Sequence, residues 1–316
     1  MRSMAERNFP PAVEELLRRL SSDRLTGASS LLELAAGCFS GLSSASTAAK
    51  GCELVAEVED LALELVAIQP LMAPFYNLCA AILERSPPSI ALPSLKKALA
   101  GAAMRYTREA AKGTELASRA GAGLIKDGAR ILTISRSTAV IRSLELARKD
   151  WKKFSVVVLE SRPMLEGRRA AERLAAAGIP VELVVDSAIA SEVRRADQVI
   201  VGADAITDEI VVNKAGTLAL AVAAREFSVG MHAIADSSKL LPNALMPEND
   251  RHRNPNEVWD AAPGGVTVRN RYFEKVPLNY FRCFAMENGT VDAKEIARRT
   301  EMAGPGLERL AGLLAR

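Results

Sequence analysis

The chain has 316 residues, about twice a typical domain, so two domains are expected. Apolar residues make up 49% of it, enough to bury a substantial core, and no apolar stretch approaches the roughly 20 residues that a bilayer span needs. The net charge of +3 is mild, and acids are interspersed with bases, which argues against a nucleic-acid-binding stripe.

The N-terminus, Met1-Arg2-Ser3-Met4-Ala5-Glu6-Arg7, leads into no apolar signal core, so a cytoplasmic protein is expected. The first third reads as helical. Val13, Leu16, Leu17 and Leu20 have the spacing of an amphipathic helix that stops at Ser21-Ser22-Asp23-Arg24. Gly27 precedes a second helical run from about Ser29, and Leu54, Val58, Leu61 and Leu65 form another stripe ending before Pro70. Pro87, Pro88 and Pro93 interrupt the chain, after which Leu95 to about Ala120 predicts one long Ala-rich helix. The boundary falls near Gly121-Ala122-Gly123, giving a helical domain over 1–122 and an α/β domain over 123–316.

From Ile131 to Lys239 a short apolar run followed by a polar cluster recurs five times. The runs are Ile131 to Thr133, Ser155 to Leu159, Val181 to Val185, Gln198 to Val201 and Met231 to Ala235. Helices are predicted from Thr138 to about Lys149, over 164–177 with Leu165, Ala171 and Leu174 buried, and from about Lys214 to Phe227. Gly178 and then Pro180 stop the second of these. Short buried runs alternating with helices imply parallel strands with crossover helices. Ligands of such sheets bind beyond the carboxyl ends of the strands, where the polar clusters lie. The segment from Pro247 to Pro255 reads as a polar loop.

Several residues at these ends can carry chemistry. Asp204 closes Gly202-Ala203-Asp204, where partial burial raises a carboxyl pKa toward acid/base use; the alternative is a cap for the next turn. Asn213-Lys214 is read as the start of a helix that could hold an anion, or as a cap followed by a solvated lysine. Arg162 follows a strand and suits a phosphate or carboxylate, or pairs with Glu160 or Glu166. With Arg136 and Lys239, up to four cations face one crevice, which favours a phosphorylated small molecule.

No GxGxxG fingerprint, phosphate loop or GxSxG elbow occurs, so neither a dinucleotide cofactor nor a Ser-His-Asp hydrolase is expected, and Ser137 has no local histidine base. Cys38, Cys52, Cys79 and Cys283 contain no CxxC pair and only His232 and His252 accompany them, so buried reduced thiols are expected rather than a structural zinc site.

The segments Ile131 to Val140, Glu160-Ser161-Arg162-Pro163 through Arg168, Val201 to Ala205 and Val211 to Thr217 resemble one family. It comprises the alpha, beta and delta subunits of translation initiation factor 2B, ribose-1,5-bisphosphate isomerase and methylthioribose-1-phosphate isomerase. Asp23 to Ala28, Met72 to Asn77 and Asn270 to Pro277 extend the resemblance to nearly the whole chain. It implies a helical domain followed by a Rossmann-like domain in a homodimer or larger homo-oligomer. Asp204 matches the isomerases' catalytic aspartate, Asn213, Lys214 and Lys239 match ligand-binding positions, and Gly27-Ala28 matches part of a phosphate-contacting loop. Arg136, Ser137 and Arg162 join this set as candidate ligand contacts. Ser135 stands where the isomerases carry a catalytic cysteine, Thr26 and either Gln69 or a neighbour stand where arginines are expected, and Thr207-Asp208-Glu209 is a residue short and lacks a glycine. The resemblance therefore implies either an aldose–ketose isomerase working through Asp204 and Ser135, or a non-catalytic regulatory subunit that binds a phosphorylated sugar or nucleotide.

Overall fold

The computed structural model of the chain describes residues 9–22, 27–248, 250, 253–301 and 304–316. The expectations for Met1 to Arg7, Asp23, Arg24, Thr26 and His252 lie outside them. A helical region comes first: α1 (Pro11–Ser22), α2 (Ala28–Ala45), α3 (Gly51–Ile68), α4 (Ala73–Glu84) and α5 (Leu92–Leu124). The sequence stripes form its interior, with Val13, Leu20, Leu54, Val58, Leu61 and Leu65 fully buried. No apolar stripe marks α4, whose Phe75, Leu78, Cys79, Ile82 and Leu83 are all buried. A helix enclosed on every side shows no apolar stripe. Helix α5, about 50 Å long at 1.5 Å per residue, packs on α2 and also reaches the sheet that follows, running past Gly121-Ala122-Gly123.

The sheet is built from β1 (Arg130–Ile134), β2 (Ser155–Leu159), β3 (Val181–Val184), β4 (Gln198–Val201), β7 (Gly230–Ile234), β9 (Cys283–Met286) and β10 (Gly289–Val291). Its order is β10-β9-β7-β4-β1-β2-β3, and only β10 runs antiparallel to its neighbour. All five expected strands are present within a residue of their expected ends. Their side chains alternate. Ile131, Val156, Val158 and Ile200 pack on one face with α5, α6 (Thr138–Lys149) and α7 (Glu166–Ala176). Leu132, Val157, Val199 and Val201 pack on the other with α8 (Ile189–Val193) and α9 (Thr217–Glu226). Helices on both faces of a mostly parallel sheet make it doubly wound.

Other readings are corrected. Asn213-Lys214 does not open a helix: it ends β6 (Ile210–Lys214), which pairs with β5 (Ala205–Ile206) and β8 (Phe273–Pro277) in a small antiparallel sheet. Gly216, at φ 104°, separates that strand from α9. In α7 the buried residues are Gly167, Ala170 and Leu174, because Leu165 lies before the helix in a left-handed conformation and Ala171 is only half-buried. Gly178 has φ 73° and supplies the expected stop. The Pro247–Pro255 loop holds no strand or α-helix among its described residues. Beyond β10 come α10 (Ala293–Thr300) and α11 (Pro305–Leu314). The latter returns to the helical region, where Gly306 lets it touch the backbone of α4 at Ala80.

The position of β1 between β4 and β2 sets the site. The chain winds outward from β1 through β2 to β3, then returns to β4 on the other side. That reversal opens a crevice beyond the ends of β1 and β4, the place where doubly wound sheets bind ligands.

Candidate ligand cavity

A cavity of about 150 Å³ occupies this crevice. The tip of β1 contributes Ser135, Arg136 and Ser137, β4 leads to Asp204, β6 ends in Asn213 and Lys214, and β7 leads to Asp236 and Lys239. From the helical region come Gly27, Ala28 and Ser29 at the start of α2, Gln69 after α3, and Thr114 on α5. Arg253 and Tyr272 complete one wall. The cavity thus gathers Gly27, Ala28, Ser135, Arg136, Ser137, Asp204, Asn213, Lys214 and Lys239.

Arg162 is not among its lining residues. It sits at the tip of β2, outside the crevice, with its backbone N–H donating to Asp186 Oδ2 at 2.7 Å and its exposed guanidinium donating to the Val258 carbonyl at 3.3 Å. Neither alternative partner takes it, since Glu160 pairs with Arg168 at 3.1 Å and Glu166 with Lys214 at 2.8 Å.

The first turns of α2 and α6 both border the cavity. N–H groups there have no carbonyl partner within the helix and carry a partial positive charge. Ser137 is the N-cap of α6, its hydroxyl accepting from Val140 N–H at 3.4 Å. Gly202 is required beside it, because a Cβ at that position would run into the Ser137 side chain. Gly27 lies next to the Arg136 guanidinium, which a Cβ there would approach to 3.5 Å.

Lys214 is buried, only 2% exposed, so the solvated-lysine alternative fails. Its Nζ donates to Glu166 Oε1 and lies 5.0 Å from the centre of the Tyr272 ring, over which Arg253 also stacks at 4.8 Å. The hydroxyl of Tyr272 donates to Glu257. Asn213 is buried and donates to Thr217 Oγ1 at 3.0 Å. Asp204 is fixed through its backbone, donating to Val212 O at 2.8 Å and accepting from Ala73 N–H at 3.0 Å. Burial holds its carboxyl above the ordinary aspartate range; Lys239 and Lys214 oppose that rise and Glu166 adds to it. Beyond Asp204 the shortened segment closes a tight hairpin between β5 and β6, where Thr207 Oγ1 accepts from the N–H groups of Glu209 and Ile210.

Glu166, Asp236, Thr114, Arg253 and Tyr272 were not anticipated as site residues. Asp236 accepts from Thr114 Oγ1 at 2.7 Å and joins α5 to the tip of β7. Asp236 opens the polar cluster Asp236-Ser237-Ser238-Lys239 that follows the fifth apolar run, whereas Thr114 is one polar residue in a long helix and carries no signal. Among the described residues no three His, Cys, Asp or Glu side chains group as a metal site. No described helix is long and apolar enough to cross a membrane. The expectation of buried thiols needs correction, since Cys38 and Cys79 are buried but Cys52 is exposed and Cys283 half-buried beside His232.

Fold and cavity together define a doubly wound α/β protein with a cation-rich pocket at the switch point of its sheet. Residues 26–293 match the model of the Initiation factor 2 subunit family. An eIF-2B subunit 2-like protein of Pyrococcus horikoshii is 34% identical over 289 residues, covering 90% of this chain and 97% of its own. Ribose 1,5-bisphosphate isomerase of Haloferax volcanii is 29% identical, covering 90% of each chain. The crystal structure of translation initiation factor eIF-2B from Pyrococcus horikoshii superposes with a TM-score of 0.79 at 31% identity, covering 90% of this chain and 98% of that one. The chain belongs to the Initiation factor 2 subunit family.

Proposed function

We propose that the cavity holds a phosphorylated sugar and that the protein works by binding it. The observation that carries this reading is the convergence of the α2 and α6 first turns with Arg136 and Lys239 beside the carboxylate of Asp204. Helix N-termini and guanidinium groups stabilise a phosphate. Carboxylates accept hydrogen bonds from hydroxyls and repel further phosphate charge. Lys214 is already matched by Glu166, which leaves Arg136, Lys239 and the helix ends for the anion. The relation to ribose 1,5-bisphosphate isomerase agrees with a sugar phosphate, and that to an eIF-2B subunit 2-like protein agrees with binding in an assembly. A homodimer or larger homo-oligomer in the cytoplasm is the working form this reading carries, and sedimentation velocity tests the assembly.

A thermal-shift screen tests the ligand, because a molecule held only by the folded state raises the melting temperature with concentration. Sugar phosphates should raise it and the same sugars without phosphate should not. No shift from any phosphorylated sugar or nucleoside monophosphate would refute the proposal.

The elevated pKa of Asp204 favours a second reading, aldose–ketose isomerisation. In it, the bond between C1 and the ring oxygen of a sugar 1-phosphate breaks, the ring oxygen gains the proton that the C2 hydroxyl loses, and Asp204 takes the proton from C2 and returns it to C1, leaving a ketone at C2 with no net oxidation. Ser135 would donate a hydrogen bond to the sugar oxygen. It cannot replace a thiolate, since an alkyl hydroxyl is a far weaker acid than a thiol of pKa about 8.5. Assay of ribose 1,5-bisphosphate and 5-methylthioribose 1-phosphate decides this reading: turnover lost in Asp204→Asn supports it, and no turnover by the wild type excludes it for those substrates.

A further inference from the structure

The Glu160-Ser161-Arg162-Pro163 segment lies outside the cavity, yet its serine is tied to it. We propose that Ser161, backed by Asp186, is a positioning residue that fixes the ligand-facing loop Ser135 to Ser137; this rests on the phosphate-binding reading above. Ser135 and Ser161 have φ of 66° and 64°, a left-handed conformation that favours glycine and that side chains adopt only when their surroundings impose it. For Ser135 the imposing contact is explicit. Its N–H donates to Ser161 Oγ at 2.8 Å, and the Ser161 hydroxyl in turn donates to the Leu159 carbonyl at 3.0 Å.

Ser161 is itself held from the next strand tip. It is fully buried, and its N–H donates to Asp186 Oδ1 at 2.8 Å while Arg162 N–H takes Oδ2 at 2.7 Å. The tips of β3, β2 and β1 are therefore joined in series, from Asp186 through Ser161 to Ser135. With its N–H engaged by Ser161, Ser135 delivers the chain into the cavity at Arg136 and into the α6 cap at Ser137. Loss of the Ser161 hydroxyl releases this geometry without substituting any cavity-lining residue.

Ser161→Gly separates positioning from general support, because glycine adopts a φ of 64° without strain but supplies no hydroxyl. Asp186→Ala is the second variant, at a half-buried position. Two measurements are read on wild type and both variants: amide exchange at Ser135 without ligand, and calorimetric titration with inorganic phosphate and with ribose 5-phosphate. Ser135 exchange should accelerate in Ser161→Gly and the phosphate Kd should rise about tenfold, the value of one hydrogen bond of ordinary strength. Thermal melting of ligand-free Ser161→Gly confirms that the variant is folded at the temperature of the titration. In Asp186→Ala the Kd should rise by about threefold, since it acts one step removed. Unchanged exchange at Ser135, or Kd values in Ser161→Gly within about twofold of wild type, would overturn the inference. Wild-type protein that binds neither probe refutes the phosphate-binding reading itself, and this inference with it.

Discussion

The same dipeptide, serine then arginine, stands at the tips of two neighbouring strands and meets opposite fates. After β1, Ser135-Arg136 lines the cavity; after β2, Ser161-Arg162 does not. Both serines are left-handed, with φ values two degrees apart at 66° and 64°. What differs is location. The tip of β1 borders β4 across the point where the winding of the sheet reverses, while β2 lies between β1 and β3 with strands wound the same way on both sides. Only the reversal leaves a crevice. Residue type supplies a cation at each tip, and topology decides which one meets a ligand.

The contrast can be tested with variants on either side of it. The largest effect is expected for Lys214→Ala, on the crevice side. Removing the buried lysine leaves Glu166 without its partner, and breaking such a pair costs about 3–5 kcal/mol. Arg162→Ala, at the exposed tip, should cost no more than about 0.5 kcal/mol. Chemical denaturation compares the two; equal losses would mean that the crevice is no more tightly built than the surface around it.

Gly202→Ala should follow, at about 1–3 kcal/mol of overpacking, because its new methyl meets the Ser137 side chain. Phosphate affinity should fall with it as Ser137 and the first turn of α6 move. A variant with wild-type stability and affinity would show that the close approach of β4 to the β1 tip is unimportant.

The smallest effect concerns Asp204 and its sign depends on pH. Burial raises its pKa in the folded protein, so the folded state binds more protons than the unfolded chain between the unfolded value, about 3.9, and the elevated folded one. Wild-type stability therefore falls as pH rises through that window and stays lower above it. Asp204→Asn should flatten this dependence and melt higher than wild type above the window, while losing any isomerase turnover. A variant that melts lower at neutral pH would contradict the assignment of burial as the dominant influence on Asp204.

The sheet was the legible part of the chain. Ser155 to Leu159 is apolar and β-branched through its centre, and the strand occupies those residues. Strands β8, β9 and β10 left no comparable trace, being short and set among polar residues such as Glu274, Lys275 and Asn288. Helix α4 was missed for the opposite reason, since burial on all sides erases the stripe. In the cavity, Asp204, Arg136 and Lys239 stood out because each closes an apolar run. Lys214 reads as the start of a helix in the sequence because the run before it, Ile210-Val211-Val212, follows directly on Thr207-Asp208-Glu209 and ends in the polar Asn213, which hides β6. Thr114 and Tyr272 reach the cavity through tertiary packing alone. Arg162 reads as a ligand contact in the sequence because sequence shows that a strand has ended without showing which strands lie beside it.

Paired calorimetric titration of inorganic phosphate into Arg136→Ala and Arg162→Ala tests the central claim most directly. A charge-assisted contact is worth about 1.5–3 kcal/mol, so the first substitution should weaken binding by about tenfold to a hundredfold. The second should leave the wild-type Kd unchanged. Equal weakening by both, or loss confined to Arg162→Ala, would place the anion away from the crevice between β1 and β4.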